Sequence, residues 1–188
     1  MTDEIKRDLA NRIRSVARES LQQVLEHIVA TKMAEPGERI GGFLRVFIAT
    51  DPLLGLLGWR ELLEYQLGGR NPSAYQGKYK IISGEKSTRL MINHADPKLR
   101  HVSSWQSRDE ASNRFAGAVI FKILFCGEII TLLIAFSGLP PEADEALGLL
   151  IGKKLMAGVG GSPAFFDVME IAYISSNRMA VDMLSLAA

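Results

Sequence analysis

The chain of 188 residues is 47% hydrophobic and 23% charged, the profile of one globular domain rather than of a disordered tract. Twenty-two Lys and Arg against 21 Asp and Glu give a net charge of +1, too balanced for a protein built to coat nucleic acid. One cysteine, Cys126, excludes intramolecular disulfides and Cys-rich zinc patterns.

In the first 33 residues Ile5, Leu9, Ile13, Val16, Leu21, Val24, Leu25 and Ile28 recur at helical spacing with charges between them, which predicts a long amphipathic helix. Asp3, Glu4, Lys6, Arg7 and Asp8 crowd its start, so no secretory signal is read there and a cytoplasmic address is expected. Residues 34–38 break the helix, and 42–49 read as a strand ending at Thr50-Asp51-Pro52. Leucine pairs beyond it predict a short helix over 59–67, followed by a loop at the glycine pair 68–69 and residues 71–73. A second helix is predicted over 85–95, stopping ahead of Pro97, and a polar segment runs on to Arg114.

The stretch 117–138 is about as long as a membrane span, but Lys122 and Glu128 are expensive in hydrocarbon. Two β-rich runs, 118–125 and 128–136, flank Cys126-Gly127 and predict a hairpin whose second strand is covered on both faces. No membrane association is expected. Pro140 and Pro141 followed by Glu142, Asp144 and Glu145 mark a helix start reaching to about Met156, the acids being explained by the positive helix end. Residues 158–163 stop that helix, and 164–186 read as one further helix.

Sites of chemistry are sparse. The three histidines have no i, i+4 zinc spacing, and partly exposed positions at helix ends account for them. His27, on a rigid helix beside the apolar stripe, is the best axial donor should a haem bind. No Gly-x-Ser-x-Gly elbow and no P-loop is present; Ser137 reads as a turn residue and Cys126 as an inert tip thiol. Catalytic residues are therefore not assigned. Between Lys78 and Arg114 eight basic residues face four acidic ones. That excess is either a solvated face or a site for a small anion such as a carboxylate; the aromatics there are not spaced to stack bases.

Three stretches together, Glu-Lys-Ser-Thr-Arg-Leu at 85–90, Phe-Ala-Gly-Ala-Val-Ile at 115–120 with Cys126-Gly127-Glu128, and Ser-Gly-Leu-Pro-Pro-Glu-Ala-Asp-Glu-Ala at 137–146, resemble the GlcG/HbpS-like haem-binding (haem-degrading) domain family. The resemblance covers roughly residues 5–157 of a single domain, with 162–188 an additional helical extension. It implies an α+β, profilin-like antiparallel sheet flanked by helices, homo-oligomeric assembly, and binding of haem or another apolar, anionic small molecule. Lys86, Gly117, Gly127, Ser137, Gly138, Asp144 and Glu145 match the family pattern. Arg89 stands where the family has threonine, and Leu132 and Ala135 replace smaller residues, which narrows the space beside the sheet. On this reading Lys86 and Arg89, close together on one helix, pair with the ligand's carboxylates, and His27 is the metal ligand if the molecule is haem. The alternative is a non-catalytic sensory or interaction module whose C-terminal apolar side, from Phe165 to Leu184, meets another subunit.

Overall fold

The computed structural model describes residues 1–69, 77–157 and 167–186. The first helix, α1 (Asp3–Ala30), begins where the Thr2 hydroxyl accepts from the Ile5 N–H, with Asp3 and Glu4 in its first turn. Leu9, Ile13, Ala17, Leu21, Val24 and Ile28 form its buried stripe. The helix closes at Thr31, and Lys32 turns the chain with a φ of 57°.

Four antiparallel strands follow, β1 (Gly41–Ala49), β2 (Trp59–Gly68), β3 (Ala118–Phe125) and β4 (Glu128–Ser137), ordered β2-β1-β4-β3. The segment expected as a short helix over 59–67 is thus a strand. The reason lies in its register: Val46 pairs with Leu63 and Phe47 with Glu61, so Leu62 is an extra residue, a β-bulge. The bulge sends Leu62 and Leu63 to the same side and erases the alternation that marks a strand. The leucines ahead of it form the 3-10 turns Pro52–Gly58, with the Asp51 carboxylate accepting from the Leu53 N–H. Between β3 and β4, Cys126 and Gly127 both have positive φ (50° and 79°), a two-residue type I′ hairpin turn.

The sheet separates two apolar layers. One face packs on α1 and α3 (Pro141–Ala157) through Leu44, Val46, Val119, Phe121, Leu132, Ile134 and Phe136. Its other face, Ala118, Ile120, Leu133 and Ala135, packs on Leu90 and Met91 of α2 (Lys78–Ala95) with Trp59. The second helix therefore starts seven residues earlier than its sequence pattern suggests, after Gly77 in the left-handed region. Within the polar segment, Ser104–Ser107 and Glu110–Ser112 make 3-10 turns, and Ser103 bridges Val119 to cover the outer edge of β3.

The handover from Ser137 to Pro141 is the expected one, a buried strand leading into a helix with an acidic first turn. Because α3 lies under the sheet, α1 and the C-terminal helices, it is buried on almost every side. The C-terminal extension is two helices, α4 (Val168–Ser175) and α5 (Arg178–Leu186), not one. Ser176 adopts a φ of 60° and Asn177 caps α5, its Oδ1 accepting from the Ala180 N–H. Residues 158–166, read as a helix stop and the start of the last helix, and the loop at 71–73 lie outside the described residues. No described helix is long and apolar enough to cross a membrane.

Candidate functional site

Lys86 and Asp144 form an internal ion pair. Lys86 points from α2 past the end of the sheet, 1% exposed, and Asp144 rises from the first turn of α3, 2% exposed. Lys86 Nζ donates to Asp144 Oδ2 at 2.6 Å and to the Phe136 carbonyl at 3.0 Å, while the Leu139 N–H donates to Asp144 Oδ1 at 2.8 Å. Burial pushes the Asp144 carboxyl up to about 6, against the pull of Lys86, and pushes Lys86 below the usual lysine range, against the pull of Asp144. Gly117 makes the contact geometrically possible. Its φ is 122°, and a Cβ there would lie 2.6 Å from Asp144 Cβ and 2.8 Å from Lys86 Nζ. Lys86 thus ties α2 to the β4–α3 junction, with its ammonium engaged inside the protein.

Arg89, three residues along α2, is also engaged. Its Nε and Nη2 donate to the two oxygens of Glu85 at 2.6 and 3.2 Å. Nη1 donates to the Ser104 and Ser107 carbonyls and to Ser107 Oγ, and Nη2 to the Phe115 carbonyl at 2.6 Å. A guanidinium has five N–H donors in a fixed plane. Here that plane fastens the 104–115 segment to α2. The side chain expected to hold a ligand carboxylate builds a wall.

Beside that wall is a cleft of about 450 Å³, between α2 and the 107–114 stretch. It is lined by Glu85, Thr88, Arg89, Ile92, Asn93, Ser107 and Arg114. Thr88 and Arg114 are exposed, and among the described residues the side chains of Thr88, Asn93 and Arg114 make no hydrogen bond or ion pair with the protein. The basic residues over 78–114 therefore differ in role: Lys80 pairs with Glu64 and Arg108 lies over the Trp105 ring. Lys86 and Arg89 hold the structure together, whereas Arg114 is presented to the cleft.

Two further polar centres lie inside. Glu145 is fully buried and accepts from Ser103 Oγ and from Asn177 Nδ2, the latter at 2.9 Å. Burial raises its carboxyl above the usual range, opposed by the Ser103 and Asn177 hydrogen bonds. The carboxylate joins the β3 cover, α3 and the α4–α5 corner. The helix-start explanation of the acids holds for Glu142 in the first turn, but Asp144 and Glu145 are buried partners of specific side chains. His94, expected to be partly exposed, is buried; its Nδ1 donates to the His101 carbonyl at 2.8 Å, and desolvation lowers its affinity for a proton. His101 is half-buried and held below the usual imidazole range by burial and then by Arg89.

His27 is remote from all of this in the contact pattern. It lines an open groove of about 370 Å³ between α1 and α5, with Gln23, Glu26, Ala30, Met183 and Leu186. Imidazole and thioether can both be axial donors, yet the groove is open and of only about 370 Å³, and Glu26 in its lining repels propionates. The residues of this groove do not fit an enclosed haem. Cys126 is exposed at the hairpin tip. The described residues hold no group of three or more His, Cys, Asp or Glu side chains suited to a metal ion.

Sequence reasoning identified Lys86 and Arg89 but not their partners. The pairing of Asp144 and Glu145 was hidden because an acidic first turn has a sufficient local explanation; the signals that set them apart are their place in the 137–146 stretch that carries the resemblance and their position on a largely apolar helix. Comparisons with models of protein families, with curated proteins and with solved structures give no match.

Proposed function

We propose that the protein is a small-ligand-binding module whose site is the cleft between α2 and the 107–114 stretch, and that it takes a small organic anion with one apolar edge. The observation that carries this reading is a built wall beside polar side chains that, among the described residues, make no hydrogen bond or ion pair, Arg114 having only the charge of the exposed Asp109 near it. Arg89 rigidifies the 104–115 segment, and Thr88, Asn93 and Arg114 converge on the same space, with Ile92 as an apolar side. Ligand sites combine an apolar lining with a few such convergent polar groups, and this volume lies within their usual range. Arg114 supplies the planar fork that matches a carboxylate, while Thr88 and Asn93 discriminate by hydrogen bonding. Glu85 is neutralised by Arg89, so it does not repel an anion at the rim. The resemblance of 85–90 and 137–146 to a haem- and small-ligand-binding family supports the same class of function.

The test is a titration with a panel of short mono- and dicarboxylates, read by intrinsic fluorescence of Trp105, which sits in the segment that forms the wall. A saturable change in the wild type, weakened about tenfold or more by Arg114→Gln, is expected, since a charge-assisted bond to an anion is worth at least about 1.4 kcal/mol. A flat response across the panel removes the proposal. A hemin-induced Soret shift lost in His27→Ala would instead move the ligand to the α1–α5 groove.

A further inference from the structure

Asn177, at the corner between α4 and α5, is buried, and both polar atoms of its side chain are in use. Oδ1 caps α5 by accepting from the Ala180 N–H at 3.1 Å. The amide nitrogen therefore points the other way, into the protein, where it donates to the Glu142 carbonyl at 2.8 Å and to Glu145 Oε2 at 2.9 Å. A flipped amide would set its oxygen against two acceptors. The start of α5 thus fixes the direction of a donor, and that donor holds Glu145.

The other carboxylate oxygen, Oε1, accepts from Ser103 Oγ. A hydroxyl has one proton; with it committed to Glu145, the lone pairs are left for the Trp105 N–H, which donates to Ser103 Oγ at 3.0 Å. Ser103 is in this way the N-cap of the 3-10 turn Ser104–Ser107, and the Gln106 side chain completes the box by accepting from the Ser103 N–H at 3.1 Å. The Ser104 and Ser107 carbonyls of this turn seat Arg89, and Ser107 lines the cleft. Arg108, at the end of the turn, donates to the Trp105 carbonyl, lies 4.1 Å over the Trp105 ring and is the charged group that faces Glu145. Two caps, one of α5 and one of the cleft wall, meet on a single fully buried carboxylate.

We propose that Asn177 and Glu145 are positioning residues for the cleft between α2 and the 107–114 stretch, through which the α4–α5 corner sets its affinity from outside the site. The inference rests on that cleft being the ligand site. It gives α4 and α5, which lie beyond the span of the resemblance, a role inside the protomer. Ile171, Ala172, Ala180 and Leu184 are buried in the main core, and Asn177 is the polar contact by which that packing reaches the wall. Neither Asn177 nor Glu145 lines the cleft; both act through Ser103. The β3 strand holds the same segment independently, since the Ala118 N–H donates to Ser104 Oγ at 2.9 Å and the Ile120 N–H to the Val102 carbonyl at 2.8 Å. Losing the corner's contact therefore loosens the turn without detaching it.

Hydrogen exchange and affinity for succinate and butyrate, measured on the full chain, test this. Asn177→Ala should speed exchange of the Trp105 amide about fivefold, as loss of a cap does, and weaken carboxylate binding by a similar factor. Ser103→Ala should do the same, and the double variant should be no worse than the stronger single, because both break one chain of contacts. Asn177→Asp sets a second carboxylate against Glu145, whose other neighbours are the charged Arg108 and the neutral Ser103 and Ser175. Its deficits, taken against the wild type at each pH, should be full at about pH 8 and shrink toward about pH 6 as one shared proton restores a donor. In the wild type, saturating succinate should slow exchange of the Ala180 amide on α5, by reciprocity and with no variant needed. An Ala180 amide indifferent to bound succinate overturns the proposal, as do single effects that multiply in the double variant or an Asn177→Asp deficit flat in pH. Carboxylate binding untouched by Asn177→Ala keeps the cleft and removes its control by the corner. A wild type that binds neither acid removes the cleft reading and the ligand role with it, and Trp105 exchange in Asn177→Ala then shows whether the corner still holds the wall.

Discussion

Replacing Lys86 with methionine keeps the volume and removes the charge, leaving the Asp144 carboxyl inside the protein with backbone N–H groups of Gly138 and Leu139 as its donors. Removal of one partner of a buried pair costs about 3–5 kcal/mol, because the other charge stays desolvated. The loss should have a definite pH signature. Asp144 already has a folded-state pKa of about 6 against an ordinary 3.8, so the folded state binds a proton that the unfolded state releases. Stability from this group is then full below about 4 and lost as pH rises through about 6. Without Lys86 the folded pKa rises further, and the deficit of Lys86→Met should shrink on going from pH 8 to pH 5 by up to about 1.4 kcal/mol per pH unit. Asp144→Asn should show the opposite slope. It leaves a buried ammonium whose neutral form the fold prefers, so its deficit should shrink as pH rises. Urea denaturation of both single variants and of Lys86→Met/Asp144→Leu across this range reads out all three trends. The double variant should fall within about 1 kcal/mol of wild type or above it. Single variants that each lose less than about 1 kcal/mol, with parallel pH slopes, would refute the buried pair.

Gly117→Ala should lose on the order of 3 kcal/mol in chemical denaturation, because a Cβ collides with Asp144 and Lys86 and the positive φ penalises any side chain. Arg89→Ala should cost about 2–4 kcal/mol and accelerate hydrogen exchange across 104–115 more than elsewhere, since one side chain supplies the donors holding that segment to α2. Glu145→Gln keeps a partner for Asn177 or Ser103 and removes a buried charge. Wild type should gain stability as pH falls below neutral through the raised Glu145 carboxyl, and the variant should lose that share of the gain in thermal unfolding followed against pH.

Periodicity was enough for the elements whose neighbours are uniform. The stripe from Leu9 to Ile28, the paired runs around Cys126-Gly127 and the proline-led start of α3 each follow from local sterics and a single apolar face, so all three are legible in the residues. The 59–68 segment was not, because its bulge is set by pairing with β1 and puts two adjacent leucines on one side. The break at Ser176-Asn177 was equally hidden. It is decided by a hydrogen bond from Asn177 to Glu145, 32 residues earlier in the chain.

What the sequence determined by itself is the α+β alternation, the hairpin, and the concentration of cations over 78–114. Those depend on interactions a few residues long or on composition. Only the tertiary structure decided which of the cations are available. Lys86, Arg89 and Arg114 belong to one basic stretch of the sequence, but folding brings Asp144 from 58 residues away onto the first and the carbonyls of 104–115 onto the second. A charged side chain is a ligand site or a structural strut according to what desolvates it and what pairs with it. Both are properties of contacts across the chain, so charge alone could mark the region while the fold assigned the roles.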